Sequence, residues 1–239
     1  MRFIRSLIFL LGMTISTCLW VIPCILARLL PYHICFAIVS SWCTFNVRWA
    51  KFTCGIHYEI SGLENIPEKA CVIMSNHQST WETLAYPSIF PTLTWVIKKE
   101  LLYVPLFGWG IASTQPIALD RKQGKKSFIQ LIKDGKDKLN LGRFIIIFPE
   151  GTRIPYDEER PLKIGGFVLA KKSNTYILPV AHDAGRLWPR NGFLKSPGTI
   201  HLHIGKPFPT QDQTAEQLRE RYATWLKETR AQLKLKLVN

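Results

Sequence analysis

The chain has 239 residues, enough for one α/β domain with a full core and an appended segment, but too few for two ordinary enzyme domains. It carries 31 Lys and Arg against 17 Asp and Glu, and the formal net charge of +14 favours an anionic partner such as lipid or a phosphorylated compound. Nucleic-acid binding is disfavoured, because the charge accompanies long apolar segments and no recognisable nucleic-acid-binding module.

Two uncharged apolar segments, residues 6–27 and 29–47, begin the chain and have basic residues at their ends. Both are long enough to enter or cross a bilayer. The sequence therefore predicts an N-terminal two-helix membrane anchor over residues 1–52 and a catalytic domain over residues 53–239. A cleaved signal peptide is the alternative for the first segment, but its apolar run is longer than usual and a second run follows at once.

The topology of this anchor is left open by the sequence. Pro23 and Pro31 interrupt the apolar segments, so the pair either spans the bilayer or lies in one leaflet. The rest of the chain, after the two apolar segments, is large and basic and is expected to stay beside anionic membrane lipid. This predicts a catalytic domain on the cytoplasmic side of the inner membrane.

After Lys51, short β-branched runs alternate with amphipathic stretches, which is the pattern of an α/β domain. The predicted strands are residues 57–61, 71–75, 94–97, 116–119, 144–148, 177–181 and 199–204. The predicted helices are residues 80–90, 125–139, 166–172 and 214–236. Residues 107–109 are predicted to form a membrane-facing or acyl-lining turn, and the irregular segment 153–163 is a candidate flap.

A candidate base lies in Asn76-His77-Gln78-Ser79-Thr80-Trp81-Glu82. His77 follows a buried strand, so it is expected to be exposed at the strand end, where open α/β sheets place ligands. Glu82 can accept a hydrogen bond from one imidazole nitrogen, which leaves the other nitrogen to take a proton. The alternative is a capping box in which Glu82 bonds the Ser79 amide, and the two carboxylate oxygens can share both roles.

A candidate anion site lies in Phe148-Pro149-Glu150-Gly151-Thr152-Arg153. It places an arginine on a glycine-containing turn after a buried strand, where a guanidinium can bind phosphate with two parallel hydrogen bonds. Taken alone, the segment also fits a charged surface turn. Ser79 is disfavoured as a nucleophile, because no Gly-x-Ser-x-Gly elbow surrounds it.

In this order and spacing, the two segments resemble the glycerolipid acyltransferase family, specifically the 1-acyl-sn-glycerol-3-phosphate acyltransferases. Two further blocks agree with the resemblance. They are Lys98-Lys99-Glu100-Leu101 with Ile117-Ala118-Leu119-Asp120-Arg121, and Leu178-Pro179-Val180. One position departs from the family pattern, because Glu82 stands where the family usually has aspartate.

The resemblance implies a single α/β acyltransferase domain with a mixed sheet covered by helices, preceded by the two-helix anchor. It implies acyl transfer from acyl-CoA or acyl carrier protein to the sn-2 hydroxyl of lysophosphatidic acid, giving phosphatidic acid, with no cofactor and no metal. By this resemblance His77 is the general base, Glu82 orients it, and the acceptor's phosphate is bound by Arg153, Arg121 and Lys99. The remaining motif residues support the site, and they are Asn76, Glu150, Gly151 and Thr152.

Two other functions stay open at this point. An acyltransferase of the same build can act on another lysophospholipid or on glycerol 3-phosphate. A noncatalytic protein that binds anionic lipid would also account for the anchor and the net charge of +14.

Overall fold

The computed structural model describes residues 1–236 and is built around a seven-stranded sheet. The strands are β1 (Ile56–Ser61), β2 (Val72–Ser75), β3 (Leu93–Lys98), β4 (Ile117–Leu119), β5 (Phe144–Ile147), β6 (Ile177–His182) and β7 (Gly198–Ile204). Their order across the sheet is β1-β7-β6-β2-β5-β3-β4. Strands β2 to β6 run parallel, whereas β1 and β7 run antiparallel to them, which confirms the expected mixed sheet.

The helices are α1 (Arg2–Leu26), α2 (Tyr32–Cys54), α3 (Trp81–Ile89), α4 (Phe107–Ala112), α5 (Lys125–Asn140), α6 (Gly165–Lys172) and α7 (Ala215–Leu235). Every strand and helix predicted after Lys51 is present, with ends shifted by at most one residue. The turn predicted at residues 107–109 is wrong, because these residues begin helix α4. Residues 237–239 of the predicted catalytic domain lie outside the described residues.

Helices cover both faces of the sheet. Strand β2 shows why, since Ile73 packs into one apolar cluster while Val72 and Met74 pack into the other, as the two-residue period of a strand requires. The first cluster contains residues of α1, α2 and α3, and the second contains residues of α5, α6 and α7. The N-terminal helices therefore form part of one covering layer of the fold.

Helix α1 has the character of a membrane segment, whereas α2 is a mixed case. Among residues 1–236, one helical stretch, Arg2–Leu29, is long and apolar enough to cross a membrane by length and composition. Helix α2 packs on α1 and α3, buries Val47 and Cys54 in the core, and ends at Gly55, whose φ of 69° suits a left-handed cap. The division of the chain at residue 52 stays a prediction.

The irregular segment 153–163 lies against helix α7. Arg230 of α7 donates to the backbone carbonyls of Tyr156 and Glu158, at 2.5 and 3.2 Å. The Lys163 amide donates to the carbonyl of Pro149 at 2.7 Å. The segment is irregular as expected but is fastened at both ends, and its proposed movement stays a prediction.

Candidate active site

The candidate site lies at the carboxyl edge of the parallel strands, where neighbouring chain ends meet. Strand β2 pairs with β5, so the residues that follow these strands, His77 and the segment 148–153, are brought together. Strand β5 pairs with β3, and β3 pairs with β4, which places Lys98 and Arg121 at the same edge. The site is therefore assembled by sheet order from segments far apart in the chain.

Asn76 fixes the direction in which the chain leaves β2. Its buried side chain exchanges two hydrogen bonds with the backbone of His182 at the end of β6. The amide Nδ2 donates to the carbonyl at 2.9 Å, and the amide of His182 donates to Oδ1 at 3.0 Å. This side chain extends the pairing of β2 with β6 by one residue and so positions His77.

His77 and Glu82 form the expected pair. His77 Nδ1 donates to Glu82 Oε1 at 2.8 Å, which leaves Nε2 as the basic nitrogen of the neutral ring. The same oxygen accepts from the amides of Gln78 and Ser79, at 2.9 and 2.8 Å. Glu82 thus orients the imidazole and accepts from the amides at the start of α3 at once. The sharing of these roles between two oxygens is wrong, because Oε1 performs both.

The electrostatics of the pair favour an ionised Glu82 and a neutral His77. Burial alone would raise the pKa of Glu82, but the neighbouring rings of His182 and His77 and the Ser79 amide hold that pKa at about 2. Burial lowers the pKa of His77, while its hydrogen bond to Glu82 acts in the opposite direction. The ring is therefore available to accept a proton at neutral pH.

The His77 ring is less exposed than its position predicted. Its side chain is 15% exposed and stacks on Phe148, with ring centroids 3.9 Å apart and planes 10° from parallel. One face of the imidazole is thus covered by a residue that follows β5. The stack restricts the rotation of the ring, and the hydrogen bond from Nδ1 to Glu82 fixes the direction of the ring edge.

The segment 150–154 holds the backbone of His77 from both sides. The His77 amide donates to Glu150 Oε2 at 2.6 Å, and the His77 carbonyl accepts from the Ile154 amide at 2.8 Å. Burial raises the pKa of Glu150 to about 8. Gly151 has a φ of 74°, a left-handed conformation that favours glycine in this turn.

Arg153 and Arg121 flank the same turn. Arg153 Nε donates to the Ser79 carbonyl at 2.8 Å, and Arg121 donates to the carbonyl of Gly151. Within residues 1–236, the two terminal nitrogens of Arg153 make no hydrogen bond, so both can bind an anion. Arg190 donates to the Arg153 carbonyl at 2.6 Å and adds a third guanidinium to the group.

His77, Thr152, Arg121 and Arg153 line one cavity of about 560 Å³, which we call the large cavity. Gly151 and Arg190 also line it. Apolar residues of α1, α2 and α4 line the same cavity. The apolar wall includes Trp20, Val21, Val39, Trp42, Leu106, Phe107 and Ile111.

The sequence of the chain is similar to those of known proteins. The sequence model of the family described as Acyltransferase matches residues 57–183. The chain belongs to the acyltransferase family. A 1-acyl-sn-glycerol-3-phosphate acyltransferase of Pseudomonas aeruginosa is 42% identical over 235 residues, covering 96% of this chain and 91% of that protein. Another from Saccharomyces cerevisiae is 30% identical over 239 residues, covering 95% and 78%.

The fold of this acyltransferase also has a solved counterpart. The crystal structure of the 1-acyl-sn-glycerophosphate (LPA) acyltransferase PlsC from Thermotoga maritima superimposes with a TM-score of 0.81. The match covers 98% of both chains at 22% sequence identity. At that identity the likeness establishes the α/β fold.

The structure does not place every predicted residue of the acyltransferase at the large cavity. Lys99 is exposed in a short 3₁₀ helix and does not line this cavity, whereas Lys98, the last residue of β3, does. Glu150 and Asn76 support the backbone instead. The side-chain roles of all these residues in binding or catalysis stay predictions.

Two features of the acyltransferase site were missed from the sequence. Arg190 lies 37 residues beyond Arg153, in a segment without a recognised motif, and no local signal connects it to the site. The anchor helices were not expected to form the cavity wall, because their apolar composition predicts contact with lipid equally well. Lys98 belongs to the second motif, but the sequence predicted its neighbour Lys99 as the phosphate ligand.

Proposed function

We propose that this acyltransferase transfers a fatty acyl group from a thioester to the sn-2 hydroxyl of lysophosphatidic acid, giving phosphatidic acid. The observation that carries the proposal is that His77, Arg121 and Arg153 line one cavity together with apolar residues of α1, α2 and α4. A base, an anion site and space for an acyl chain are the three requirements of this reaction. The names of the relatives from Pseudomonas aeruginosa and Saccharomyces cerevisiae support the same substrate.

In the proposed mechanism the phosphate of the acceptor binds Arg153 and Arg121, which brings the hydroxyl near His77. Nε2 of the neutral ring takes the hydroxyl proton as the oxygen bonds to the thioester carbon, a contribution of about 10²- to 10⁴-fold. Glu82 stabilises the imidazolium formed. The carbon–sulfur bond then breaks, and the departing thiolate receives the proton from His77.

No acyl-enzyme is needed in this mechanism. Ser75 and Ser79, the hydroxyls nearest to His77 in sequence, are both fully buried, and Ser79 Oγ accepts from the Trp81 amide at 3.1 Å. Ser79 caps a helix start and is not presented to the large cavity. Direct transfer also agrees with the position of His77 beside an anion site, since the acceptor is then oriented before attack.

The arrangement of α1 supports binding in one leaflet of the membrane, while the net charge of +14 favours a catalytic part on the cytoplasmic side of the inner membrane, beside anionic lipid. Near its start, Arg5 donates to the Thr53 carbonyl at 2.6 Å, and Ser6 accepts from the Lys195 amide at 3.0 Å. Just past its other end, Tyr32 donates to the Leu93 carbonyl at 2.5 Å. A helix tied to the body at both ends lies along it, with its apolar outer face free for lipid and anionic head groups.

The direct test is acyl transfer by the purified full chain, with labelled acyl-CoA and acyl carrier protein as separate donors. The acceptors are lysophosphatidate, other lysophospholipids and glycerol 3-phosphate. Transfer to lysophosphatidate should fall by about 10²-fold or more in His77→Ala. His57→Ala, at an exposed imidazole of edge strand β1, is the matched control and should keep full activity.

The results of this assay distinguish the candidate substrates, donors and functions. Preference for another acceptor would replace lysophosphatidate as the substrate. An absence of transfer with every donor and acceptor, together with intact binding to anionic vesicles, would favour the noncatalytic lipid-binding function. The preferred donor will separate acyl-CoA from acyl carrier protein.

A further inference from the structure

A second, smaller cavity lies on the other side of Arg153. It has a volume of about 250 Å³ and shares Thr80, Arg153 and Asn191 with the large cavity. Its remaining walls come from Leu10 and Met13 of α1 and from the segment 188–195. We call it the small cavity. It is distinct from the large cavity because neither His77 nor Arg121 lines it.

The small cavity is positively charged. Arg153 and Lys195 line it, and none of the described residues in its lining is Asp or Glu. Lys195 is 6% exposed and, within residues 1–236, forms no ion pair with a carboxylate. A buried ammonium without a counterion is costly, and such a group is usually paired with an anion.

The donors of Lys195 are largely unused. To the residues that the structure describes, Nζ donates one hydrogen bond, which goes to the Phe193 carbonyl at 3.1 Å. It lies 5.0 Å from the ring centroid of Phe9 and 4.9 Å from that of Trp188. These aromatic faces stabilise the charge without accepting conventional hydrogen bonds. Two of the three N–H donors of the ammonium therefore stay available for an anion.

The surroundings indicate what kind of anion fits. Leu10 is 38% exposed on the outer apolar face of α1, and Phe193 is 37% exposed beside it. An anion that reaches Lys195 past these residues must carry apolar groups or lie at the lipid boundary. A phosphate attached to a glycerolipid meets this condition better than a water-soluble anion does.

We propose that the small cavity is a second phosphate-binding subsite, in which Lys195 and Arg153 bind the phosphomonoester of a membrane glycerolipid. The proposal rests on the proposed function, which supplies two such lipids, the acceptor lysophosphatidate and the product phosphatidate. Because Arg153 borders both cavities, a phosphate in the small cavity competes for the guanidinium that serves the large one. Occupancy by the product would therefore inhibit the enzyme, whereas an acceptor bound there must leave the small cavity before its phosphate binds in the large one.

The test is equilibrium binding of 1-oleoyl lysophosphatidate and of dioleoyl phosphatidate to the full chain in mixed micelles, without acyl donor. Lys195→Met removes the charge and keeps the length of the side chain. We expect the Kd of at least one lipid to rise about tenfold, which matches the loss of one charge-assisted hydrogen bond. Lys195→Arg should restore binding, and Lys227→Met, at an exposed position on α7, should leave it unchanged.

A second variant tests whether the lipid occupies the small cavity without changing Lys195 itself. Leu10→Trp narrows the small cavity from α1 and leaves both cations in place, so it should weaken the same lipid. The lipid whose Kd shifts identifies the source of the phosphate. The proposal is overturned if, in folded variants, neither Kd changes by more than about twofold, or if CoA binding weakens instead.

The same preparations are assayed for acyl transfer to lysophosphatidate. Transfer by the wild type with unchanged lipid binding in the Lys195 and Leu10 variants would overturn the subsite and keep the proposed function. Lipid binding that depends on Lys195, without any transfer, would keep the subsite and overturn the proposed function.

Discussion

Replacing Glu82 by Ala removes one carboxylate oxygen that accepts three hydrogen bonds, from the His77 ring and from the amides of Gln78 and Ser79. The charge-assisted bond to the ring contributes about 1.5–3 kcal/mol, so the rate of transfer should fall about 10- to 100-fold. This loss is smaller than the 10²- to 10⁴-fold expected for His77→Ala, which removes the base itself.

Stability should follow the opposite order. Glu82→Ala leaves two buried amides without acceptors, at about 1–3 kcal/mol each, so unfolding should become easier by about 2–6 kcal/mol. His77→Ala keeps both amides bonded to Glu82 Oε1, and its effect on the free energy of unfolding should be smaller. Denaturant unfolding and the kcat of purified variants measure the two effects separately.

Glu82→Gln separates charge from geometry. The amides of Gln78 and Ser79 require an acceptor, so they orient the new side chain with its oxygen toward them and toward His77. Only the charge is lost, which should lower kcat about tenfold. A loss in Glu82→Gln as large as that in His77→Ala, with the fold intact, would refute the assignment of Glu82 as an orienting residue.

Three further predictions concern neighbouring groups. Arg153→Lys should raise the KM for lysophosphatidate about tenfold with a smaller change in kcat, and an unchanged KM would contradict the anion site. Because burial lowers the pKa of His77, kcat/KM should decline only as the pH falls below 6.5, and an inflection above this value would contradict it. The pKa of the Glu150 carboxyl is about 8 in the fold and 4.5 when unfolded, so the wild type should lose stability as the pH rises between these values. Glu150→Gln cannot ionise, and its free energy of unfolding in denaturant should therefore exceed that of the wild type by an amount that grows over this pH range. An unchanged or reversed difference would contradict the raised pKa.

The secondary structure was predictable because the signals are local. Apolar runs such as residues 144–148 and 177–181 are bounded by turn residues, and α7 begins with a capping box formed by Thr214 and Gln217. Helix α4 was missed because Gly108 and Gly110 lower helix propensity in a segment of six residues. Packing of Gly108 against the backbone of Leu102 explains the requirement for glycine.

The assembly of the site was only partly predictable. The motifs identify His77 and Arg153, but their proximity depends on the pairing of β2 with β5, which joins segments about seventy residues apart and leaves no local signal. The same limit explains the difference between Lys98 and Lys99. A shift of one residue at the end of a strand changes the direction of the side chain, so the sequence could not decide which lysine lines the large cavity.

The wall of the large cavity shows how the same composition can serve two purposes. Val21 and Trp42 lie in segments that the sequence assigns to lipid, yet both line the cavity, while Leu11 and Ile15 remain on the outer face of α1. Hydropathy measures how well a side chain avoids water and does not distinguish lipid from the protein's own apolar interior. The role of each face therefore follows from the packing of α1 and α2.

The proposed base and the proposed anion site of this acyltransferase are connected through hydrogen bonds. Glu150 accepts from the His77 amide, the Ile154 amide donates to the His77 carbonyl, and Arg153 donates to the Ser79 carbonyl. These contacts join the two motifs on both sides of the imidazole. A displacement of Arg153 would thus be transmitted to the backbone that carries His77. Since orientation of the hydroxyl depends on the distance between base and phosphate, this coupling maintains the geometry on which the proposed transfer depends.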